Sequence, residues 1–320
     1  MKITVLDSYA LNPGDLSWDW LEALGECSIY PRTPADKIIE RCKGAEIVVT
    51  NKTPLDREAL LSLPDLKYIA LQSTGYNIVD CETARELGIL VSNIPSYSTE
   101  AVAQHTFALI LELTNAVGLH SQSVKNGEWC ACPDFCYWKS PLSELAGKTV
   151  GIIGYGQIGR AVAKIAEAFN MNIIALSGHK APVTDRKSFR WAENIDELAE
   201  VSDIITLHCP LTEKTTGLVN REFLDKCVKK PIIINTSRGP VIDSEALAEY
   251  LNNGKIAGAG LDVLTVEPPK EDNPLLTAKN CIITPHIAWA GFETRERLMQ
   301  ILESNIKAYL NGAPENVVNK

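Results

Sequence analysis

A chain of 320 residues with 45% hydrophobic and 22% charged side chains and a mean hydropathy of −0.03 can fill two ordinary domain cores and is not a disordered or fibrous protein. Its net charge of −9, with no cluster of five or more basic residues, excludes a phosphate-tracking surface, so nucleic acid is not an expected partner. No apolar run approaches the ~20 residues of a membrane span, and the opening MKITVLDSYALNPGD has no long apolar export segment, so a cytoplasmic protein with nine reduced cysteines and no membrane partner is expected.

The first hundred residues alternate β-branched runs with helical stretches: ITVL at 3–6, EIVV at 46–49, KYIAL at 67–71 and GILV at 88–91. Between them, Asp56 to Leu61 and Asp80 to Leu87 have helical apolar spacing. Such alternation predicts βαβ units and a compact parallel sheet. Pro95 to Ser98 interrupts it, and one long helix is expected from an N-cap at Thr99 through TEAVAQHTFALILELTNAVGLHSQSVKNG. Its stretch from Ala101 to Leu113 is more apolar than one packing face needs, which points to burial against another domain or a second subunit, and a homodimer is the expectation.

EWCACPDFCYW follows, where Cys130, Cys132 and Cys136 lie close together, but zinc sites usually offer paired C-x2-4-C spacing with a fourth ligand, and no metal is expected. From Lys148 the alternation restarts with six near-continuous apolar runs, TVGIIG, NIIAL, DIITLHC, PIIIN, AGAGLDV and CIITP, read as strands covered on both faces. The last helix, Phe292 to Leu310, has room to return to the first domain. The expected class is α/β with two doubly wound parallel-sheet domains, one of residues 1–98 plus 291–320 and one of 99–290, with crossovers near 99 and 291 acting as a hinge.

Gly154-Tyr155-Gly156-Gln157-Ile158-Gly159 is a G-x-G-x-x-G directly after the strand TVGII and directly before the helix RAVAKIAEAF, the context a dinucleotide site needs. The glycines permit a tight turn and close backbone approach to a pyrophosphate, and the helix N-terminus supplies amide donors. The next strand ends Leu176-Ser177-Gly178-His179-Lys180 and lacks the acidic residue that reads an adenosine ribose. Ser177 and Lys180 could hold a 2′-phosphate, so NADP(H) is tolerated or slightly preferred; the alternative is a solvated Lys180 with NAD(H) bound.

Arg238, Glu267 and His286 stand at the ends of later strands, where ligands bind in open α/β sheets. Reduction of a 2-oxo acid needs a cation for the carboxylate, a proton donor at the carbonyl oxygen and a group that keeps that donor protonated, and Arg, His and Glu supply these in turn. Of the other histidines, His105 reads as a packed core residue, His120 and His179 as solvated surface, and His208 as lining the cofactor without chemistry. Tyr76, Trp138 and Trp289 are either pocket walls or interface aromatics.

The glycine motif, HCPLT at 208–212, NTSRGPVID at 235–243, GAGLDV at 258–263 and TPHIAWA at 284–290 together resemble the D-isomer-specific 2-hydroxyacid dehydrogenase family over essentially the whole chain. TNKTPL at 50–55, STGYN at 73–77 and PDFCYW at 133–138 resemble its glycerate dehydrogenase and hydroxypyruvate reductase branch. The resemblance implies a Rossmann dinucleotide-binding domain inserted in a flavodoxin-like substrate domain, and reversible hydride transfer between NAD(P)H and a small 2-oxo acid. It makes His286 the acid and base, oriented by Glu267, with Arg238 bridging substrate carboxylate and carbonyl. Thr74 and Gly75 would hold the carboxylate through their amides, with Lys52 as a second contact or a surface charge. Toward the cofactor it assigns Thr74, Gly154, Gly156, Gln157, Ile158, Gly159, Ser177, Lys180, His208, Cys209, Pro210, Thr215, Thr236, Ser237, Arg238, Asp262, His286 and Ala288, with Asp262 at the nicotinamide amide. The alternatives are a family member acting on 3-phosphohydroxypyruvate or pyruvate, and a dinucleotide-sensing binding protein like the family's corepressors.

Overall fold

In the computed structural model, which describes residues 1–180, 183 and 188–320, the chain folds into two compact units, Met1–Ser98 with Ala290–Lys320, and Thr99–Trp289. The first unit carries a five-stranded sheet of β1 (Lys2–Val5), β2 (Glu26–Ile29), β3 (Ile47–Thr50), β4 (Tyr68–Leu71) and β5 (Leu90–Ser92), in the order β2-β1-β3-β4-β5. All four pairings are parallel. This is the 2-1-3-4-5 order of flavodoxin-like sheets. One face buries Leu6, Val48, Ile69, Leu71 and Val91 beneath short helices. Two of those helices, Arg57–Leu61 and Cys81–Glu86, begin at the expected places because the Asp56 and Asp80 carboxylates accept the amides of Ala59 and Thr83. On the opposite face Tyr68 stacks on Tyr309 of the Phe292–Leu310 helix at 4.2 Å, and Asn305 of that helix donates to the Asn93 carbonyl.

The second unit has seven strands, β6 (Thr149–Ile153), β7 (Asn172–Leu176), β8 (Phe189–Trp191), β9 (Ile204–Leu207), β10 (Ile232–Asn235), β11 (Gly258–Leu261) and β12 (Cys281–Ile283). Their order is β12-β11-β10-β9-β6-β7-β8, all parallel. Read from β8, this is the 3-2-1-4-5-6 dinucleotide-fold order with a seventh strand, and the order reverses between β6 and β9. The helices Thr99–Asn115 and Gln157–Ala168 cover one face with Phe107, Ile110, Val162 and Ala163, while Leu198, Phe223 and Leu247 cover the other.

The structure departs from expectation in this unit at four places. The long helix breaks at Ala116, whose φ of 46° is left-handed, and resumes as Val117–Lys125. Thr99 is the first residue inside the helix rather than its cap. Of the apolar stretch from Ala101 to Leu113, Val102, Ala103, Phe107, Leu109 and Ile110 are buried within the unit itself rather than held for another domain or a second subunit. His120 is no free surface side chain: its ring bridges the Ala116 carbonyl at 2.7 Å and the Lys139 amide at 3.0 Å.

Candidate active site

The C-terminal edge of the second sheet collects the loops after β6, β7, β9, β10, β11 and β12. After β6, Gly154 adopts φ 98° and its N–H donates to the Leu176 carbonyl. A Cβ there would lie 2.5 Å from the Cys209 nitrogen, and one at Gly159 would lie 2.2 Å from the Gly154 carbonyl oxygen, so both glycines allow backbones to touch. Gly156 has nothing within 4 Å of its Cβ position and has no side chain capping the Gln157–Ala168 helix, which leaves an open approach to that helix's free amides. The residues present therefore fit a dinucleotide pyrophosphate. Gln157 accepts from the Thr99 hydroxyl at 3.4 Å, and Ile158 packs partly buried in the core beneath.

Around this cradle the expected cofactor residues play different parts. Ser177, just past β7, accepts the His179 amide at 3.4 Å, and Lys180 donates to the Ala192 carbonyl at 2.6 Å, which draws it back to the end of β8. His208 keeps both ring nitrogens from solvent, without partners among the described residues, and burial pulls its pKa down to about 3. Cys209 is buried as well, and its thiol pKa is raised by desolvation. The Pro210 carbonyl accepts the Thr215 hydroxyl, which also receives the Thr212 amide and so closes that turn on itself. Thr236 meets Thr106 of the overlying helix at 3.2 Å.

The three strand-end candidates stand on adjacent strands. Asn235, the last residue of β10, accepts the Ser237 amide and hydroxyl and donates to the Arg238 carbonyl, turning the chain so that Arg238 is exposed. Its guanidinium donates to the Ser237 carbonyl at 2.7 Å, and among the described residues no carboxylate pairs with it. The next residue, Gly239, lies against the loop after β11, where a Cβ would sit 2.0 Å from the Leu264 carbonyl carbon. That loop folds over Glu267, whose Oε1 accepts the Leu264 amide, while its Oε2 meets His286 Nδ1 at 2.6 Å. Both partners are about a third exposed on their side chains. With Nδ1 committed to Glu267, Nε2 of His286 is the ring atom left to meet a substrate.

Sequence reasoning did not foresee the part played by Asp262. Its side chain is 1% exposed, and its oxygens accept the Thr284 hydroxyl at 2.6 Å and the amides of Ile287 and Ala288 at 2.9 and 2.8 Å. Asp262 thus anchors the loop that carries His286. Asn235 was missed too; the only signal of its role was a polar side chain closing an otherwise apolar run. Among the described residues no three His, Cys, Asp or Glu side chains meet as a metal site, and no helix is long and apolar enough to cross a membrane.

The remaining candidates lie at the C-terminal edge of the first unit's sheet. After β3, the amides of Asn51, Lys52 and Thr53 all donate to Asp7 at 2.6–2.8 Å, and the Lys52 side chain is exposed. After β4, the Thr74 hydroxyl donates to the Ile94 carbonyl and the Ser73 hydroxyl to the Gly75 carbonyl, both at 2.7 Å, leaving the Thr74 residue exposed.

A family model described as D-isomer specific 2-hydroxyacid dehydrogenase, NAD binding domain, matches residues 107–288. A hydroxypyruvate reductase of Blautia hydrogenotrophica is 52% identical, with all of both chains covered. A glycerate dehydrogenase of Methylorubrum extorquens is 40% identical over 88% of each chain. Among solved structures, an acyclic imino acid reductase in complex with NADPH and D-Arg superposes with a TM-score of 0.85 at 34% identity, covering 99% of this chain and 100% of that one.

Proposed function

This chain belongs to the D-isomer specific 2-hydroxyacid dehydrogenase family, a family of NAD(P)-dependent oxidoreductases, and on that premise we propose that it reduces hydroxypyruvate, and glyoxylate beside it, to D-glycerate and glycolate, reversibly. The observation that carries the reading is the His286–Glu267 pair at 2.6 Å on loops adjacent to that of Arg238. A nicotinamide dinucleotide, when bound, supplies the hydride. His286 gives the proton from Nε2 to the carbonyl oxygen during reduction and takes it back in reverse, while Glu267 holds the ring by Nδ1. The guanidinium of Arg238, with no carboxylate paired to it among the described residues, grips the substrate carboxylate and carbonyl. Thr74, Gly75 and Lys52 are further carboxylate contacts in this proposal. Gly154, Gly156, Gln157, Ile158 and Gly159 would hold the pyrophosphate, with Thr215, Thr236 and Ser237 lining the cofactor's path.

We further propose that NADPH is accepted as well as NADH. The support is Ser177 just past β7, where a carboxylate would repel a 2′-phosphate; Lys180 lends little, being held by Ala192. Nine free thiols fit a reducing compartment, and the cytoplasm is the proposed location. A homodimer is proposed as the working assembly.

The test is oxidation of NADPH and of NADH followed against hydroxypyruvate, glyoxylate, pyruvate and 3-phosphohydroxypyruvate. Hydroxypyruvate should give the highest kcat/KM, with turnover on both nucleotides. Preference for the phosphorylated acid or for pyruvate would reassign the substrate, and no turnover with any acid would favour a dinucleotide-sensing binding protein.

A further inference from the structure

His286 lies in an uncomfortable backbone state. Its φ of 55° is left-handed, a region that costs a side chain bearing a Cβ, so surrounding contacts must hold it. Its own N–H points at the Asp262 carbonyl (2.8 Å) and the Thr284 carbonyl (2.9 Å), and the Asp262 carboxylate takes the two amides that follow. Asp262 is therefore the clamp on this loop, gripping it from main chain and side chain alike.

The clamp has its own support on another element. Thr284 has one hydroxyl proton, and it goes to Asp262 Oδ1 at 2.6 Å, because a carboxylate can only accept. The Thr284 oxygen then accepts from His105 Nε2 at 2.9 Å, which fixes the Nε2–H form of that ring. The same Nε2 lies 3.5 Å from Asp262 Oδ1. His105 projects from the middle of the Thr99–Asn115 helix, with 19% of its side chain exposed. An apolar residue of similar size would fill that place equally well if packing were its only duty.

We propose that His105 is a positioning residue for the reaction. Through Thr284 it orients the Asp262 carboxylate, and Asp262 holds the left-handed turn that aims the His286 imidazole. The loop carrying the proton donor is thereby tied to the rigid helix that covers the sheet. The proposal rests on His286 being the acid and base.

The experiment compares His105→Phe, His105→Gln, Thr284→Val, the His105→Phe/Thr284→Val double variant and His286→Gln by kcat, KM, nucleotide affinity and Tm. His105→Phe and Thr284→Val should each lower kcat by about 10- to 100-fold, the scale of a misplaced catalytic group, with NADPH affinity nearly unchanged. His105→Gln, whose amide can still donate to Thr284, should recover most of the loss. The double variant should be no worse than the poorer single one, since both break the same link. Full kcat in His105→Phe, a glutamine variant as poor as phenylalanine, or additive losses in the double variant would overturn the proposal. If His105→Phe fails to fold, Thr284→Val, which removes one hydroxyl for a methyl, carries the comparison alone. Retained turnover in His286→Gln would instead remove the premise, and the proposal with it.

Discussion

At the scale of single residues, two histidines on the same sheet have opposite fates. His286 ends with one ring nitrogen on Glu267 and the other available, the arrangement of a group that moves a proton. His286→Gln should lower kcat by roughly 10²- to 10⁴-fold while nucleotide binding, measured by fluorescence titration, stays close to that of the parent. Equal loss of both would make the residue structural. The ring nitrogens of His208 are shut from solvent without a partner among the described residues, and its pKa falls from 6.5 to about 3, so it is neutral where the enzyme works. The unfolded chain binds that proton near pH 6.5 and the folded chain does not, so its stabilising effect is complete above pH 6.5 and is lost as the pH falls toward 3. The slope is up to about 1.4 kcal/mol per pH unit. Replacing His208 by Leu should flatten the fall of Tm between about pH 6.5 and pH 4; parallel curves for parent and variant would contradict the assignment.

At the scale of elements, the break at Ala116 puts a side chain where glycine is at ease. Ala116→Gly relieves about 1 kcal/mol of left-handed strain and returns about 0.4–1 kcal/mol through the freer unfolded chain. Thermal unfolding should thus show a Tm equal to or slightly above the parent's, and a clear decrease would mean that the turn is unstrained. Nothing in the local sequence announces this break, because Asn115-Ala116-Val117 carries no proline and only the conformation identifies it. The strands buried on both faces were legible as apolar runs, NIIAL to the residue. The two missed strands, β2 with the sequence ECSI and β8 with FRW, are sheet edges with half-exposed side chains, which need no apolar continuity. The same contrast holds in the site. His286, Glu267 and Arg238 could be read as polar residues ending apolar strands, whereas the links from His105 to Thr284 and from Gly239 to Leu264 join positions whose neighbourhood is set by strand order and helix packing, which linear spacing does not encode.

At the scale of the whole molecule, a chain of net charge −9 meets its own copy with least repulsion through a neutral face. Residues 117–142 offer one: Lys125 and Lys139 offset Glu128 and Asp134, while Phe135 is 89% and Trp138 68% exposed, beside exposed Trp129 and Leu142. The segment is not loose. Trp129 donates to the Phe135 carbonyl, Ser123 bonds Tyr137, Lys139 pairs with Glu128, and the Lys139 amide reaches His120, so its backbone is held while its apolar side chains face water. An ordered, net-neutral surface rich in exposed aromatics suits an interface. Sedimentation should therefore give twice the 35.1 kDa chain mass for the parent, and Phe135→Glu with Trp138→Glu should give a single chain, since each new carboxylate would be buried unpaired in the dimer. A parent that sediments at 35.1 kDa, or a double variant that keeps the parent's mass, would show that these aromatics serve another purpose.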